Sequence, residues 1–345
     1  MKGVGICLGH LAGREIAART VDGHLDDLLV APPSGHLIPG TIVVGLPRRQ
    51  MKHQGGVMVE LPQNRMGFAK DVKGVIPGRP RLFQVSGFAS ENKAVPITSR
   101  LLIKTRTAIL TPNAPGINIS RQISDDATRD RLKALFKNGK ISEDTGLIIR
   151  SVAGAASDDE LLADLAHTLS IAAKLESEVG KQPAVVYDGD SPHAFARREW
   201  DDGDALISNT LDDDLQEQIT ALANPYVALR PDGSIIVEPT RALVAVDVNS
   251  GSDTSPAAAL KANVAAAKAL PRALRLRGLG GQITVDFARV PKKDRRTIES
   301  VLKSALRHDP IETALAGWTP LGNCELQRKR ERLPLKEFLD GLPDL

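Results

Sequence analysis

Two short apolar segments, joined by a helical pattern, restrict the fold of this chain more than any other feature of its sequence. They read ALVAVDVNSG (242–251) and GGQITVDFARV (280–290). The residues between them predict one helix over about 255–277, followed by a glycine turn. A strand, a crossover of a dozen or more residues and a second strand form a βαβ unit with parallel strands. The sequence therefore predicts an α/β layer in this part of the chain.

Each of these two segments contains one aspartate late in the strand. Asp247 and Asp286 interrupt runs of Val, Ile, Ala and Phe, which predicts that both carboxylates are buried. A buried carboxylate costs several kcal/mol unless it is paired, hydrogen-bonded or bound to a metal. Ligands of parallel sheets collect at the carboxyl ends of the strands, so the pair predicts a site for Mg²⁺ or Mn²⁺. Asn249 lies on the same strand face as Asp247 and could orient a water or a phosphate oxygen.

A purely structural interpretation of these aspartates stays open. Asp247 could cap a turn with Ser250 and Gly251, and Asp286 could pair with Arg289. Either aspartate alone would favour that interpretation, whereas the two together with Asn249 favour a metal site.

The composition excludes several classes of protein. The 345 residues contain only two cysteines, so neither a disulfide framework nor a four-cysteine zinc site is expected. No stretch approaches about 20 apolar residues, so no membrane span and no membrane partner are expected. Together with a poor match to a signal peptide, these features predict a cytoplasmic protein.

Charge is distributed unevenly along the chain, although the net charge is only +3. Residues 1–149 contain 21 Lys+Arg against 12 Asp+Glu, residues 150–240 contain 6 against 18, and residues 241–345 contain 18 against 12. Two basic regions thus flank an acidic one. Basic regions suit a polyanion such as nucleic acid, although ordinary solvated faces would have the same composition.

Residues 36–100 are predicted to form a small barrel. Five short apolar segments with close turn residues and no helical period are typical of an OB-type barrel; they are TIVVGL, GGVMVEL, NRMGFAK, RLFQVSGFA and VPITSR. Residues 101–179 then alternate strand and helix patterns. Asn138-Gly139 is predicted to end the first of two helices, and Ser157 to cap the second, longer one. The acidic stretch 191–214 shows no pattern of a helix or strand until a short helix is predicted around DLQEQITAL.

Residues from about 235 to 281 resemble the catalytic region of the ribonuclease E/G family. The matching segments are SIIVEPTRALVAVDVNSG, Asn263 within KANVAAA, RALRLRGLGG and ITVDF, followed by GWTPLGNCELQRKR. The resemblance implies an Mg²⁺-dependent endoribonuclease that cleaves single-stranded RNA and leaves a 5′-phosphate and a 3′-hydroxyl. It identifies Asp247, Asn249 and Asp286 as catalytic residues, with Asp247 and Asp286 as the metal ligands.

The predicted barrel resembles the S1 domain of the same family. GFAKD and SENKAVPITS match the aromatic and lysine elements of that domain, which assigns Phe68 and Lys93 to RNA binding. The chain is only 3% aromatic, yet Phe68, Phe83 and Phe88 all lie in this one segment. Stacking of a base on an aromatic ring is worth roughly 1–3 kcal/mol. For each phenylalanine, packing in the core remains the alternative.

Two further segments are assigned to RNA, the first by the resemblance and the second by its positive charge. TGLIIRSVAGAA matches the family's 5′-sensor strand, so Arg150 and Ser151 are expected to bind a 5′-monophosphate. The last basic strand is expected to contact the RNA backbone through Arg328, Lys329 and Arg330.

The resemblance also implies an α/β fold made of several α+β subdomains. An RNase H-like subdomain would receive an inserted S1/OB barrel and a 5′-sensor region, and a DNase I-like metal-binding nuclease subdomain would follow. The implied boundaries are 1–35 with 180–238 for the RNase H-like subdomain, 36–100 for the barrel, 101–179 for the 5′-sensor region, 239–335 for the nuclease subdomain and 336–345 for a tail.

The family's zinc link, a Cys-Pro-x-Cys motif, has no counterpart among Cys7 and Cys324. We therefore expect no zinc and no zinc-linked tetramer, but a monomer or weak dimer. The leading hypothesis is an endoribonuclease of RNA processing or decay that favours 5′-monophosphorylated ends. Two alternatives stay open, namely a non-catalytic RNA-binding protein that retains the fold and a metal-dependent phosphatase acting on small molecules.

Overall fold

The structure is a computed structural model that describes residues 3–70, 72, 74–89, 93–137, 141–180, 182–200, 205–230, 232–253 and 255–342. The chain divides into two compact units, one formed by residues 1–32 with 204–345 and the other by residues 33–203. Each unit has two hydrophobic cores of its own. Within the described residues, no helix has the length and apolar character needed to cross a membrane.

The secondary structure mixes strands and helices throughout. The strands up to residue 203 are β1 (Val4–Leu11), β2 (Arg14–Val21), β3 (His24–Val30), β4 (Ile42–Met51), β5 (Gly56–Leu61), β6 (Arg65–Lys70), β7 (Arg81–Val85), β8 (Val95–Thr98), β9 (Ile103–Lys104), β10 (Ala108–Pro112), β11 (Gly116–Ile119), β12 (Thr145–Ile149) and β13 (Ala184–Tyr187). The later strands are β14 (Leu206–Ser208), β15 (Tyr226–Ala228), β16 (Ser234–Pro239), β17 (Val244–Asn249), β18 (Gly281–Asp286), β19 (Thr313–Trp318) and β20 (Cys324–Arg328). The helices are α1 (Asp126–Lys137), α2 (Asp158–Ser177), α3 (Pro192–Glu199), α4 (Asp213–Thr220), α5 (Pro256–Leu276), α6 (Lys292–His308) and α7 (Lys336–Asp340).

A closed barrel of five strands forms in the unit of residues 33–203. Its strands pair in the order β4-β5-β6-β8-β7, and an additional pairing of β4 with β7 closes it. Alternate side chains of β5 are buried, as expected for a strand with one face on a core. Val43, Val59 and Phe83 are fully buried in that core. The predicted five-stranded, OB-like barrel is thus confirmed.

The same unit contains a second sheet, in the order β11-β12-β10-β9. Helix α2 begins at the predicted cap, where Ser157 and Glu160 form a capping box. Leu132 of α1 and Leu161 of α2 share one hydrophobic core with this sheet. Both helices predicted between residues 101 and 179 are therefore present, while the predicted stop of α1 at residues 138–139 lies outside the described residues.

The other unit contains a small sheet built mainly from the first strands of the chain. Its order is β14-β1-β2-β3, and β14 is parallel to β1. Helix α4 packs Leu215 and Ile219 against Ile16 and Leu28 of this sheet. The early strands are therefore packed against residues from the second half of the sequence.

A six-stranded sheet holds the two apolar segments that end in aspartate. Its order is β15-β16-β17-β18-β20-β19, with β17 parallel to β18 and the other pairings antiparallel. Helix α5 connects β17 to β18. Ala266 and Leu270 of α5 and Leu302 of α6 pack in one core with Val246 and Val285 of the sheet. The predicted βαβ unit is thus confirmed, and the helices cover one face of its sheet.

Some elements differ from the sequence prediction. The acidic stretch 191–214 contains helix α3, whose cap residue Ser191 accepts a hydrogen bond from the Ala194 N–H. The residues predicted as a tail include α7, which buries Phe338 and Leu339 in the core of the small sheet. Both helices are too short to show a clear apolar period, which is why the sequence pattern missed them.

Candidate active site

Asp247 and Asp286 lie side by side on the two parallel strands of the six-stranded sheet. They are cross-strand partners in the pairing of β17 with β18, so their side chains leave the same face of the sheet. Neighbouring strands are about 4.8 Å apart, which brings the two carboxylates close together. The register thus places together the two aspartates that the sequence predicted to be neighbours.

The prediction that these carboxylates are buried is wrong, because both side chains are exposed. Val246, Val248 and Val285 point to the core, and the residues alternating with them point to solvent. Helices α5 and α6 cover only one face of the sheet. Only every second residue of each apolar segment is therefore buried, and the aspartates lie on the uncovered face. Two like charges at strand spacing nevertheless repel each other, and a bound cation would relieve that repulsion.

Asn249 is held beside the first of these carboxylates. Its Nδ2–H donates a hydrogen bond to Oδ2 of Asp247 at 2.8 Å. Asn249 follows Asp247 by two residues in β17, so both side chains lie on the exposed face. The amide therefore fixes one carboxylate oxygen of the pair and leaves its own carbonyl oxygen pointing away from that bond.

A tight turn supports the end of β17, where this site lies. Gly251 has a φ of +80°, and a Cβ added there would lie 2.5 Å from the carboxylate of Asp232. Gly233, in the neighbouring hairpin turn, has a φ of +98°, and a Cβ added there would lie 2.5 Å from the carbonyl oxygen of Asn249. Glycine is needed at both places because φ is positive and the neighbouring turn leaves no room for a Cβ.

Asn263 of α5 holds the chain just beyond Asp286. Its side chain is fully buried. Its Nδ2–H donates to the carbonyl of Ala288 at 2.8 Å, and the Ala288 N–H donates to its Oδ1 at 2.9 Å. A helix side chain thus satisfies the backbone where β18 ends, a role that the sequence pattern did not assign to Asn263.

We expect Asn263→Ala to lower the free energy of unfolding by about 2–4 kcal/mol, because it leaves the partly buried N–H and C=O of Ala288 without their partners. Urea denaturation followed by tryptophan fluorescence measures this. Asn249→Ala is the matched control, since it removes an exposed amide from the same sheet and should change stability by less than about 0.5 kcal/mol. Equal losses in the two variants would contradict the role of Asn263.

Arg328 lies in the protein core instead of on a surface open to RNA. It is 1% exposed, its Nη2–H donates to Oδ1 of Asp309 at 2.8 Å, and its Nη1–H donates to Thr313 Oγ1 at 2.9 Å. Burial lowers the pKa of the Arg328 guanidinium, and the charge of Asp309 opposes that effect. The predicted contact of Arg328 with the RNA backbone is therefore corrected to a structural role.

The same network of ion pairs reaches the first strands of the chain. Asp309 also pairs with Arg275 of α5, whose Nη2–H donates to the carbonyl of Asp26 at 2.9 Å. Asp27, which is 3% exposed, pairs with Arg332 and lies 3.5 Å from Nε of Arg275. These contacts fasten β3 to α5 and to the segment that follows β20.

Lys329 and Arg330 follow β20 and are both exposed. The ammonium group of Lys329 lies 2.5 Å from Glu312, in a pair that is open to solvent. The guanidinium of Arg330 lies against Gly281, where an added Cβ would clash with it. The structure therefore leaves these two cations accessible, unlike Arg328.

Phe68 lies partly exposed on the outer face of the barrel. It is the cross-strand partner of Met58, and its ring covers Gly56, where an added Cβ would lie 2.5 Å from Cζ. Lys93 is exposed just before β8. Phe83 is fully buried in the barrel core. Of these residues, Phe68 and Lys93 keep side chains that a ligand could reach.

Arg150 and Ser151 lie together at the end of β12, and Ser151 is exposed. The Arg150 side chain is 17% exposed and is bound by protein groups on several sides. Its Nη1–H donates to the carbonyls of Thr105 at 2.9 Å and Arg106 at 3.0 Å, and its Nη2 pairs with Glu199. A phosphate bound here would have to compete with the carboxylate of Glu199.

Within the described ranges, no group of three or more His, Cys, Asp or Glu side chains is placed to hold a metal ion. Cys7 and Cys324 are both buried free thiols. Burial raises the pKa of Cys324 to about 12, so its thiol stays protonated near neutral pH.

The sequence is similar to a known family of proteins. The sequence profile of the Ribonuclease E/G family matches residues 102–205 and 208–331. Ribonuclease G of Salmonella typhimurium is 25% identical over 348 residues, covering 86% of this chain and 70% of that protein. Ribonuclease E of Synechocystis sp. is 30% identical over 307 residues, covering 76% of this chain and 45% of that protein. Because the profile matches most of the chain, including both aspartate strands, the protein belongs to the ribonuclease E/G family.

Proposed function

We propose that this protein is an Mg²⁺-dependent endoribonuclease that cleaves single-stranded RNA in RNA processing or decay. The observation that supports this most is the register of Asp247 with Asp286, together with the hydrogen bond from Asn249. Its relatives bear the names ribonuclease G and ribonuclease E. Retention of all three side chains on one exposed face favours catalysis over RNA binding alone.

The donor set of this site fits a hard divalent cation, Mg²⁺ or Mn²⁺. Asp247 and Asp286 would hold it through carboxylate oxygens, and their solvent-exposed face leaves room for retained water ligands. When bound, the cation neutralises phosphate charge and lowers the pKa of a bound water. Asn249 keeps the Asp247 carboxylate in one orientation and can donate its second N–H to a phosphate oxygen.

RNA binding is assigned to the accessible side chains among the predicted contacts. Phe68 offers a ring for a base, while Lys93, Lys329 and Arg330 offer charge to the backbone. Arg150 and Ser151 would bind a 5′-monophosphate.

Cleavage of a fluorescent oligoribonucleotide tests the proposed activity. We expect cutting in Mg²⁺ and none with excess chelator. Cleavage that is unchanged by the chelator would overturn the metal assignment, and tight RNA binding without any cleavage would favour the non-catalytic alternative.

The same oligoribonucleotide with a 5′-monophosphate is expected to be cut about tenfold faster than its 5′-hydroxyl form, as for a charged hydrogen bond to phosphate. Arg150→Gln and Ser151→Ala should each lower this ratio, and Glu199→Gln should raise it by removing the competing carboxylate. Lys133→Gln, which removes one exposed charge from the same unit, is the control. A ratio of one in the unsubstituted protein would contradict the 5′ preference.

A further inference from the structure

One row of side chains crosses the six-stranded sheet and contains the proposed metal ligands. Tyr226 is opposite Ile236, Ile236 is opposite Asp247, and Asp247 is opposite Asp286. Directly opposed residues point to the same face, so all four side chains lie in one line on the exposed side. At about 4.8 Å per strand, Tyr226 lies roughly 10 Å from Asp247 along this line.

Tyr226 is unusually exposed for an aromatic residue of this chain. Its side chain is 51% exposed, and no other aromatic residue in the described ranges is among the exposed large hydrophobic side chains. Its backbone N–H donates a hydrogen bond to Asn224 Oδ1 at 2.9 Å, which fixes the backbone there. Between the ring and the carboxylates lies the partly exposed Ile236. The row thus has the apolar side chains of Tyr226 and Ile236 at one end and two carboxylates at the other.

This order of groups matches the chemistry of a nucleotide chain. A cation between Asp247 and Asp286 would attract a phosphate, and the neighbouring nucleotide presents the flat face of its base. Bases of single-stranded RNA are free to stack on aromatic side chains, with little dependence on sequence. We propose that Tyr226, beside Ile236, stacks on a base next to the phosphate that is cleaved. This inference rests on the proposed ribonuclease function and adds a base-binding residue to the same site.

The proposal is tested with oligoribonucleotides in which a single abasic nucleotide is moved along the strand. In the unsubstituted protein, removal of one particular base near the cut should raise KM about tenfold, the size of a modest stacking contribution. Tyr226→Ala should raise KM by a similar factor on the complete RNA and should be insensitive to loss of that base. Tyr226→Phe keeps the ring and should behave like the unsubstituted protein.

The possible outcomes separate the inference from the function on which it rests. If the protein cleaves RNA but Tyr226→Ala responds to every abasic position as the unsubstituted protein does, stacking by Tyr226 is refuted while the nuclease function stands. Loss of affinity in Tyr226→Phe as well would refute stacking in favour of a hydroxyl contact. If the protein neither cleaves nor binds RNA, both proposals fail. Circular dichroism and a melting curve show whether each variant keeps its fold. RNA binding measured in the background of Asp286→Asn, which is expected to be inactive, gives the same comparison without cleavage.

Discussion

Replacing Asp286 with asparagine is expected to lower the rate of RNA cleavage by a factor on the order of 10³, as for loss of a group that stabilises transition-state charge. Asp286 stands opposite Asp247 on a parallel strand, and an amide removes half of the charge that would hold the cation. Single-turnover cleavage in saturating RNA measures the effect on the chemical step. Asp247→Asn is expected to give a loss of the same order.

Stability separates a catalytic loss from a folding defect in these variants. Because both carboxylates are exposed, Asp286→Asn should keep its free energy of unfolding within about 0.5 kcal/mol of the unsubstituted protein. Mg²⁺ should raise the melting temperature of the unsubstituted protein by ligand linkage and should leave the variant unchanged. Glu238→Gln makes the same chemical change at an exposed position of the same sheet and should retain activity. Full activity in Asp286→Asn would exclude Asp286 as a metal ligand.

Asp309→Asn is expected to lower the free energy of unfolding by about 3–5 kcal/mol, the usual cost of breaking a buried ion pair from one side. The Asp309 side chain is 1% exposed and lies between Arg275 and Arg328. The asparagine would leave the buried guanidinium of Arg328 without its paired carboxylate and would remove one of the three carboxylates that surround Arg275. Urea denaturation followed through Trp318, which lies in the same unit, measures the loss.

Glu312→Gln provides the comparison for this substitution. Glu312 pairs with Lys329 at a side-chain exposure of 73%, so its loss should change stability by less than about 1 kcal/mol. Similar losses in the two variants would mean that the Asp309 network contributes no more than a surface pair.

The alternation of buried residues explains how far the sequence could predict this site. The segments ending in Asp247 and Asp286 were recognisable as parallel strands because a helix of sufficient length separates them. Their exposure could not be recognised, since Ala245 and Thr284 on the outer face are small enough to resemble core residues. Which face the helices cover is decided by tertiary packing, and a pattern of period two does not reveal it.

The sequence of strand β20 itself indicates that Arg328 is buried. Cys324, Leu326 and Arg328 alternate, so Arg328 shares the face of two apolar residues. The alternation along the strand therefore places the guanidinium on the buried face. The basic residues that follow it favoured the opposite interpretation, an exposed strand that binds RNA. Asp309, the partner of Arg328, could not be found in this way, because no local pattern connects a loop residue to a strand 19 positions later.

One unit is built from two separate stretches of the chain, residues 1–32 and 204–345, and this affects how it folds during synthesis on the ribosome. Asp27 pairs with Arg332, which lies 305 residues later in the sequence. At roughly 5–20 residues per second, about 15–60 s separate the appearance of these two residues. Residues 33–203 can complete their own unit during that interval, while the first strands keep Ile16 and Leu28 uncovered. The N-terminal strands are therefore the segment that most needs protection from aggregation while the chain is still being made.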